Sequence, residues 1–234
     1  AADGFAGPRI YYAFCYPPGG GALLRRVSLD GSLLGDTSLA ALGTEAVGLG
    51  RVSAPTGKWF IWNPFGRTIA RLDPVTGVVE ATATVPAMTS STSRDGLVGS
   101  LGRGIGEWLA PGATAKMYLD PSIAVSPDGT RVYVLGVNST RMEEMGGSSG
   151  VWVLDATSLR VVDRWGPTAD FTSLRLSEDG RWVFAAGMPE FDAQGNRNDW
   201  PASVTAYDAR TGQVRLIAGD LGQEWLFFAS SGRP

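Results

Sequence analysis

Residues 187–201 read "GMPEFDAQGNRNDWP", and within them Glu190, Asp192, Gln194, Asn196, Asn198 and Asp199 gather hard oxygen donors. Donors of that kind suit Ca²⁺ or Mg²⁺. Asp192, Gln194, Asn196 and Asn198 alternate much as calcium-loop ligands do, but the sixth-position glycine and the acidic twelfth residue of an EF-hand are missing. Asp192, Asn196, Asn198 and Asp199 are thus the candidate metal ligands, with calcium as the candidate ion. The competing reading is a solvated polar loop capped by Trp200. A second acidic stretch, "VNSTRMEEMGGSSG" at 137–150, carries Glu143 and Glu144 between two methionines. If one of these faced a carboxylate of residues 187–201 across a cleft, the two carboxyl groups would be equipped for glycoside hydrolysis at a suitable separation, and a hydrolase would need Glu190, Asp192, Asn196 or Asp199 beside Glu143 or Glu144. Left in water, they are an ordinary acidic loop. The stretch "SRDGLVGSLGRGIGEWLAPGATAKM" at 93–117 has Gly102, Gly104 and Gly106. A glycine run cradles phosphate where a strand feeds a helix, a context absent here, so the segment reads as a lid or docking element. Trp108 is its apolar anchor, or folds back onto the body of the protein. The candidate ligand-binding residues are Glu143, Glu144, Glu190, Trp108 and Trp200.

Composition limits what these groups can do. The 234 residues contain no histidine and a single cysteine, Cys15. That removes Ser-His-Asp and Cys-His catalysis, histidine general bases and histidine-held zinc from the chain. It also removes any disulfide framework. Cys15 lies among Ala13, Phe14 and Tyr16, a setting that predicts a buried thiol. Net charge is −3 and basic residues are scattered, which argues against nucleic acid as a partner. No apolar run is long enough to span a bilayer as a helix, so membrane insertion is not expected. No charged-then-apolar leader is visible, and "AADG" equally suits a chain already processed or trimmed, so targeting is not readable.

The elements that would position these loops are strands. "SIAVSPDGTRVYVLG" (122–136) and "SLRLSEDGRWVFAAG" (173–187) are near-copies, each reading strand, tight turn, strand. Asp and Gly accept the backbone angles of the turn. A second hairpin follows each: "GVWVLDATSLRVVDRW" and "SVTAYDARTGQVRLIAG". "VSAPTGKWFIW" with "TIARLDPVTGVVEATATV" repeats the scheme more loosely, as do "RIYYAFCY" and "ALLRRVSLDGSLLGDTSL". Asp30, Asp73, Asp155 and Asp208 mark the second turn, at intervals of 43, 82 and 53. A propeller blade takes about 40–50 residues, and the long interval reads as one blade plus an insertion of about 30. The expectation is an all-β chain, a β-propeller of four-stranded antiparallel blades. Blades fall near 1–42, 43–87, 120–167 and 168–221, with an insertion at 88–119 and a strand of a further or closing blade at 222–234. Trp59, Trp62, Trp152 and Trp182 fall on strands, where packing between blades is their expected role.

"SPDGTRVYVLG…GVWVLDATSLRVVDRW" resembles the YVTN-type repeat of bacterial propellers. The resemblance is strong over 122–165 and 172–217, fair over 52–85 and weak before residue 42. It implies a propeller fold and an extracytoplasmic setting, but no single activity. Relatives of the repeat include binding scaffolds, lactonases and propeller subunits of quinone-dependent dehydrogenases. Short turns are expected to share one end of the blades and long links the other. That places a functional face on the long-loop end. The leading reading is a non-catalytic scaffold that recognises a protein or small-molecule ligand there. The alternatives are a carboxylate- or metal-dependent hydrolase such as a lactonase and, third, a redox subunit.

Overall fold

The structure, a computed structural model, describes residues 10–15, 21–42, 50–64, 66–86, 123–135, 148–187 and 203–218. These form antiparallel sheets, with one short 3-10 turn at Ala40–Leu42. Blade 1 has three described strands, β1 (Ile10–Cys15), β2 (Leu23–Ser28) and β3 (Leu33–Ser38). Blade 2 has four: β4 (Gly50–Ser53), β5 (Trp59–Asn63), β6 (Thr68–Leu72) and β7 (Val79–Thr84). Blades 3 and 4 are joined in one seven-stranded sheet. Blade 3 is β8 (Ile123–Val125), β9 (Arg131–Leu135), β10 (Ser148–Asp155) and the first part of β11 (Val161–Leu176). Blade 4 is the rest of β11 with β12 (Trp182–Gly187), β13 (Ser203–Asp208) and β14 (Val214–Ala218). The first strands β4, β8 and β11 touch one another in sequence, as inner strands do when blades stand around an axis. The chain is a β-propeller. No helix of the described residues is long and apolar enough to cross a membrane.

Strand alternation explains why the blades must stack. Tyr12, Phe14 and Leu24 point from blade 1 into a core shared with Ile61, Ala70 and Leu72 of blade 2. The other face of blade 2, with Phe60, Trp62 and Ile69, meets Val132, Val134, Trp152 and Leu154 of blade 3. Tyr133, Leu135, Val151 and Val153 leave the far side of blade 3 for Leu174, Val183, Ala185 and Tyr207 of blade 4. Trp62 and Trp152 are buried in this packing, whereas Trp59 and Trp182 are half-buried. Cys15 departs from expectation. It is only half-buried, because alternation from Tyr12 and Phe14 turns it to the opposite face of blade 1.

Hydrogen bonds tie each blade to the next in the same way. Arg26 donates to the carbonyl of Val75, Arg71 to those of Ala156 and Thr157, and Arg131 to those of Ala209 and Arg210. Tyr12 and Tyr133 donate to the Pro74 and Ala209 carbonyls at 3.0 and 2.9 Å. Every acceptor belongs to the last turn of the following blade. Three of these turns share one build. Asp73, Asp155 and Asp208 accept backbone N–H bonds from the second and third residues after them, and each has its carbonyl bonded by the N–H four residues on. Asp30 stands at the same topological place but is bonded differently. It accepts from the Ser28 hydroxyl and the Ser32 N–H, as Asp128 and Asp179 do in the first hairpins of blades 3 and 4.

The three matching turns end in a left-handed residue, Gly77 (φ 75°), Gly212 (φ 70°) and, in blade 3, Leu159 (φ 57°). Leucine is strained there by about 1–2 kcal/mol, yet Leu159 is buried in the core between blades 2 and 3. Removing a buried leucine side chain costs about 2–5 kcal/mol, so burial wins. Leu159→Gly is expected to destabilise by about 1–3 kcal/mol in urea unfolding despite supplying the residue the turn prefers.

Carboxylate bonding in the turns also sets an acid limit. Asp73 is held at about 2 by the Thr76 N–H and then by Lys58, which sits 3.0 Å away and also pairs with Glu80. Asp30 and Asp128 are held at about 2 chiefly by the Ser28 and Ser126 hydroxyls. Folded values below the ordinary 3.8 mean that the stabilisation is present above pH 4 and is lost as pH falls towards 2. The melting temperature should therefore fall between pH 4 and pH 2, and Asp73→Asn with Asp128→Asn should make that fall shallower while lowering the midpoint at pH 6.

Candidate functional site

Glu143, Glu144, Glu190, Asp192, Asn196, Asn198, Asp199, Trp108 and Trp200 all lie outside the described residues. What the structure describes is where the chain leaves and re-enters the blades around them. Residues 136–147 link β9 to β10, and residues 188–202 link β12 to β13. Both links leave from the same end of neighbouring blades, opposite the turns of Asp128, Asp155, Asp179 and Asp208. The connection from β7 to β8 opens on this end as well, as does the tight link from β5 to β6. That link is closed by Asn63, buried and donating to the Leu42 carbonyl at 2.6 Å, with Thr68 donating to the same carbonyl at 2.7 Å.

The register brings two of these links together. Ser148 pairs with Phe171, Phe171 with Gly187, and Gly187 with Ser203. One row across four strands thus holds the return of the 136–147 link and both ends of the 188–202 link. Neighbouring strands lie about 4.8 Å apart, so Ser148 stands about 10 Å from Gly187 and about 14 Å from Ser203. Asp170 pairs with Ser149 one step further along.

This row exists because β10 overshoots its partner. β9 ends at Leu135 opposite Val151, while β10 begins three residues earlier, at Ser148. The overhang turns away from blade 3 to pair with the first strand of blade 4, and β11 runs through four residues, 166–169, that β10 skips. Gly150 (φ 72°) makes the bend, and a Cβ there would run into the carbonyl oxygens of Trp165 and Gly166. Below the row lies an aromatic stack. Tyr133 and Tyr207 lie each 5.5 Å from Trp165, and Phe171 meets Tyr207 edge-on at 6.2 Å. Trp165 Nε1 is satisfied by Asp163 at 2.8 Å. Burial raises the Tyr133 and Tyr207 phenols above their ordinary range, so both stay neutral; Tyr207 serves in packing, and Tyr133 also donates to the Ala209 carbonyl. A rigid floor of this kind fixes loop roots well. Among the described residues no three of Cys, Asp and Glu gather to hold a metal.

No family model matches the chain, and no curated protein matches it. Solved structures do. Hydrazine synthase of Kuenenia stuttgartiensis aligns over 84% of this chain and 43% of its own, with a TM-score of 0.52 and 15% identity. A structure described as dihydro-heme d1 dehydrogenase NirN in complex with DHE aligns over 89% of this chain and 38% of its own, at 0.51 and 12%. The Dos1 propeller aligns over 90% and 44%, at 0.50 and 12%. The chain spans about two-fifths of the length of these structures. At such identities the likeness shows the fold.

Gly150→Ala should destabilise by about 2–4 kcal/mol, joining left-handed strain to a backbone clash. Gly57→Ala is the control, with φ 76° and open space around the added carbon. It should cost only about 1–2 kcal/mol in the same urea titration.

Proposed function

We propose that this protein is a non-catalytic binding propeller that holds a protein or small-molecule ligand on its long-loop face. The observation that carries this reading is the row Ser148–Phe171–Gly187–Ser203, which roots the 136–147 and 188–202 links side by side on a rigid base. Between them the two links carry five carboxylates, Glu143, Glu144, Glu190, Asp192 and Asp199, against two arginines, Arg141 and Arg197. A face of that charge favours a cationic group or a divalent ion such as calcium, with Asp192, Asn196, Asn198 and Asp199 as its ligands. Trp108 and Trp200 would lend apolar contact at its margin.

The same juxtaposition supports a second reading, a carboxylate- or metal-dependent hydrolase using Glu143 or Glu144 with Glu190 or Asp192. One experiment separates them. Chelator-treated protein is melted with and without millimolar Ca²⁺, Mg²⁺, Mn²⁺ and Zn²⁺, then offered lactones and aryl glycosides under each condition. The binding reading expects no turnover under any of them, and it expects a Ca²⁺-dependent rise in the midpoint that Asp192→Asn with Asp199→Asn removes. A site held about a hundredfold above its dissociation constant gains about 2.7 kcal/mol by mass action. Turnover that Glu190→Gln or Asp192→Asn abolishes overturns the non-catalytic reading in favour of the hydrolase. No rise with any metal removes calcium from the proposal.

A further inference from the structure

The first hairpins of blades 3 and 4 turn on Asp128–Gly129 and Asp179–Gly180. An aspartate followed by glycine is the backbone step most prone to rearrange by itself, because glycine leaves its amide nitrogen unshielded. In that reaction the glycine nitrogen bonds to Cγ of the aspartate, and the nitrogen's proton leaves with a carboxyl OH as water. The five-membered imide then takes one water back. Addition at the side-chain carbonyl restores aspartate. Addition at the main-chain carbonyl leaves isoaspartate, with the backbone routed through the side chain. Nothing is oxidised or reduced. The step asks for a protonated carboxyl group, an amide nitrogen not held by another bond, and backbone rotation that brings the two together.

The two turns withhold all three. Asp128 accepts from the Ser126 hydroxyl at 2.6 Å, the Thr130 N–H at 3.0 Å and the Thr130 hydroxyl at 2.8 Å. Asp179 accepts from the Ser177 hydroxyl at 2.6 Å and the Arg181 N–H at 3.0 Å. Bonds of this kind favour the ionised carboxylate, which is a poor target for a nitrogen. The glycine nitrogens are engaged as well, Gly129 on the Ser126 carbonyl at 2.8 Å and Gly180 on the Ser177 carbonyl at 2.9 Å. Rotation is checked by the neighbouring turns. Both glycines are left-handed, at φ 69° and 68°, and a Cβ would press on Thr56 at Gly129 and run into Pro127 at Gly180. One serine thus serves both reacting groups, its hydroxyl on the carboxylate and its carbonyl on the nitrogen. That hydroxyl is itself held by the N–H of Arg131 at 2.9 Å in blade 3 and of Trp182 at 3.0 Å in blade 4. Asp30–Gly31 shares the bonds through Ser28 and Ser32.

We infer that Asp128–Gly129 and Asp179–Gly180 are latent sites of isoaspartate formation, held closed by Ser126 and Ser177 as positioning residues. Conversion would lengthen the backbone of a turn that is seated against the blade before it, so each site stands where the damage would loosen a seam. The two guards are unequal. Without its serine hydroxyl Asp128 keeps both bonds from Thr130, whereas Asp179 keeps only the Arg181 N–H.

Isoaspartate at each residue tests this, read by mass spectrometry of digests after weeks near neutral pH, with the full chain folded or in concentrated urea. Folded wild type should form it at both sites at least about tenfold more slowly than the chain in urea, where these bonds are gone. Folded Ser177→Ala should raise the rate at Asp179 about tenfold, the weight of one hydrogen bond to a charged group, and leave Asp128 unchanged. Ser126→Ala should raise Asp128 by less, and Ser177→Thr, which keeps a hydroxyl, should behave as wild type. Val183→Ala removes buried packing from the same blade without touching the guard, and it should leave Asp179 at the wild-type rate. Equal rates in folded and urea-unfolded wild type overturn the inference. So does Ser177→Ala that leaves Asp179 unchanged, or Val183→Ala that raises it as far as Ser177→Ala does.

Discussion

The fold depends on a contact that no single blade can make for itself. A four-stranded sheet with two apolar faces is unstable in water, and the next blade covers one of them. Packing alone would allow the sheets to slide, because apolar contact is non-directional. The arginine and tyrosine donors remove that freedom. Arg71 and Arg131 reach across the seam into adjacent carbonyls of the next blade's last turn, and Tyr133 joins Arg131 on the Ala209 carbonyl. Charge-assisted bonds of this sort contribute about 1.5–3 kcal/mol each, and leaving the carbonyls unmet would cost a similar amount. The last turns are thus built as much for the neighbour as for their own blade, which is why Asp73, Asp155 and Asp208 hold them so closely.

That seam also decides what the long-loop face can be. Between blades 3 and 4 it is strengthened by Trp165, stacked on Tyr207, and by a strand that belongs to both blades. β11 leaves no loose link between its two halves. The overhang of β10 is pinned against it, so the two acidic links rise from a base that does not shift. Links of this length on a soft base would lose much of their binding energy to ordering. Here the roots are ordered in advance.

Much of this could be read in the residues, for a physical reason. Turn chemistry is local, so "SPDG", "SEDG", "DATS" and "DARTG" announced their hairpins, and period-two alternation announced which side chains meet. Fold class and the end bearing the long links followed from that. Bonding beyond the turn was less legible. Asp30 reads like Asp73 by spacing, yet its serine neighbours give it the bonding of Asp128. Leu159 carries no sign of a left-handed backbone, because only its burial keeps it there. Cys15 looked buried from its apolar neighbours, but burial in a strand is set by face, and its face is the open one. Of the candidate site, sequence supplied the donors, while the row joining their roots depends on a bulge at Gly150 that no local pattern encodes. The candidate residues themselves lie outside the described part.

Blade 1 keeps one side of the seam and departs from the other blades on the opposite face. It keeps the donors that face forward, Tyr12, Arg26 and Thr37, all engaged on the last turn of blade 2. On its other face it has lost the accepting turn and gained a charge pair among apolar residues. An outer face that was only a cap would be polar throughout, as end repeats of stacked proteins are. Tyr11 and Leu33 depart from that pattern, and with Val27 they keep the apolar row of a seam. The Ser28–Ser32 turn does not keep the accepting carbonyls, and Arg25 is spent on Asp36 within the same sheet. Whatever packs on this face is therefore held by apolar contact and not by the arginine tie that fixes the other seams, because apolar contact is the one half of the seam that blade 1 retains.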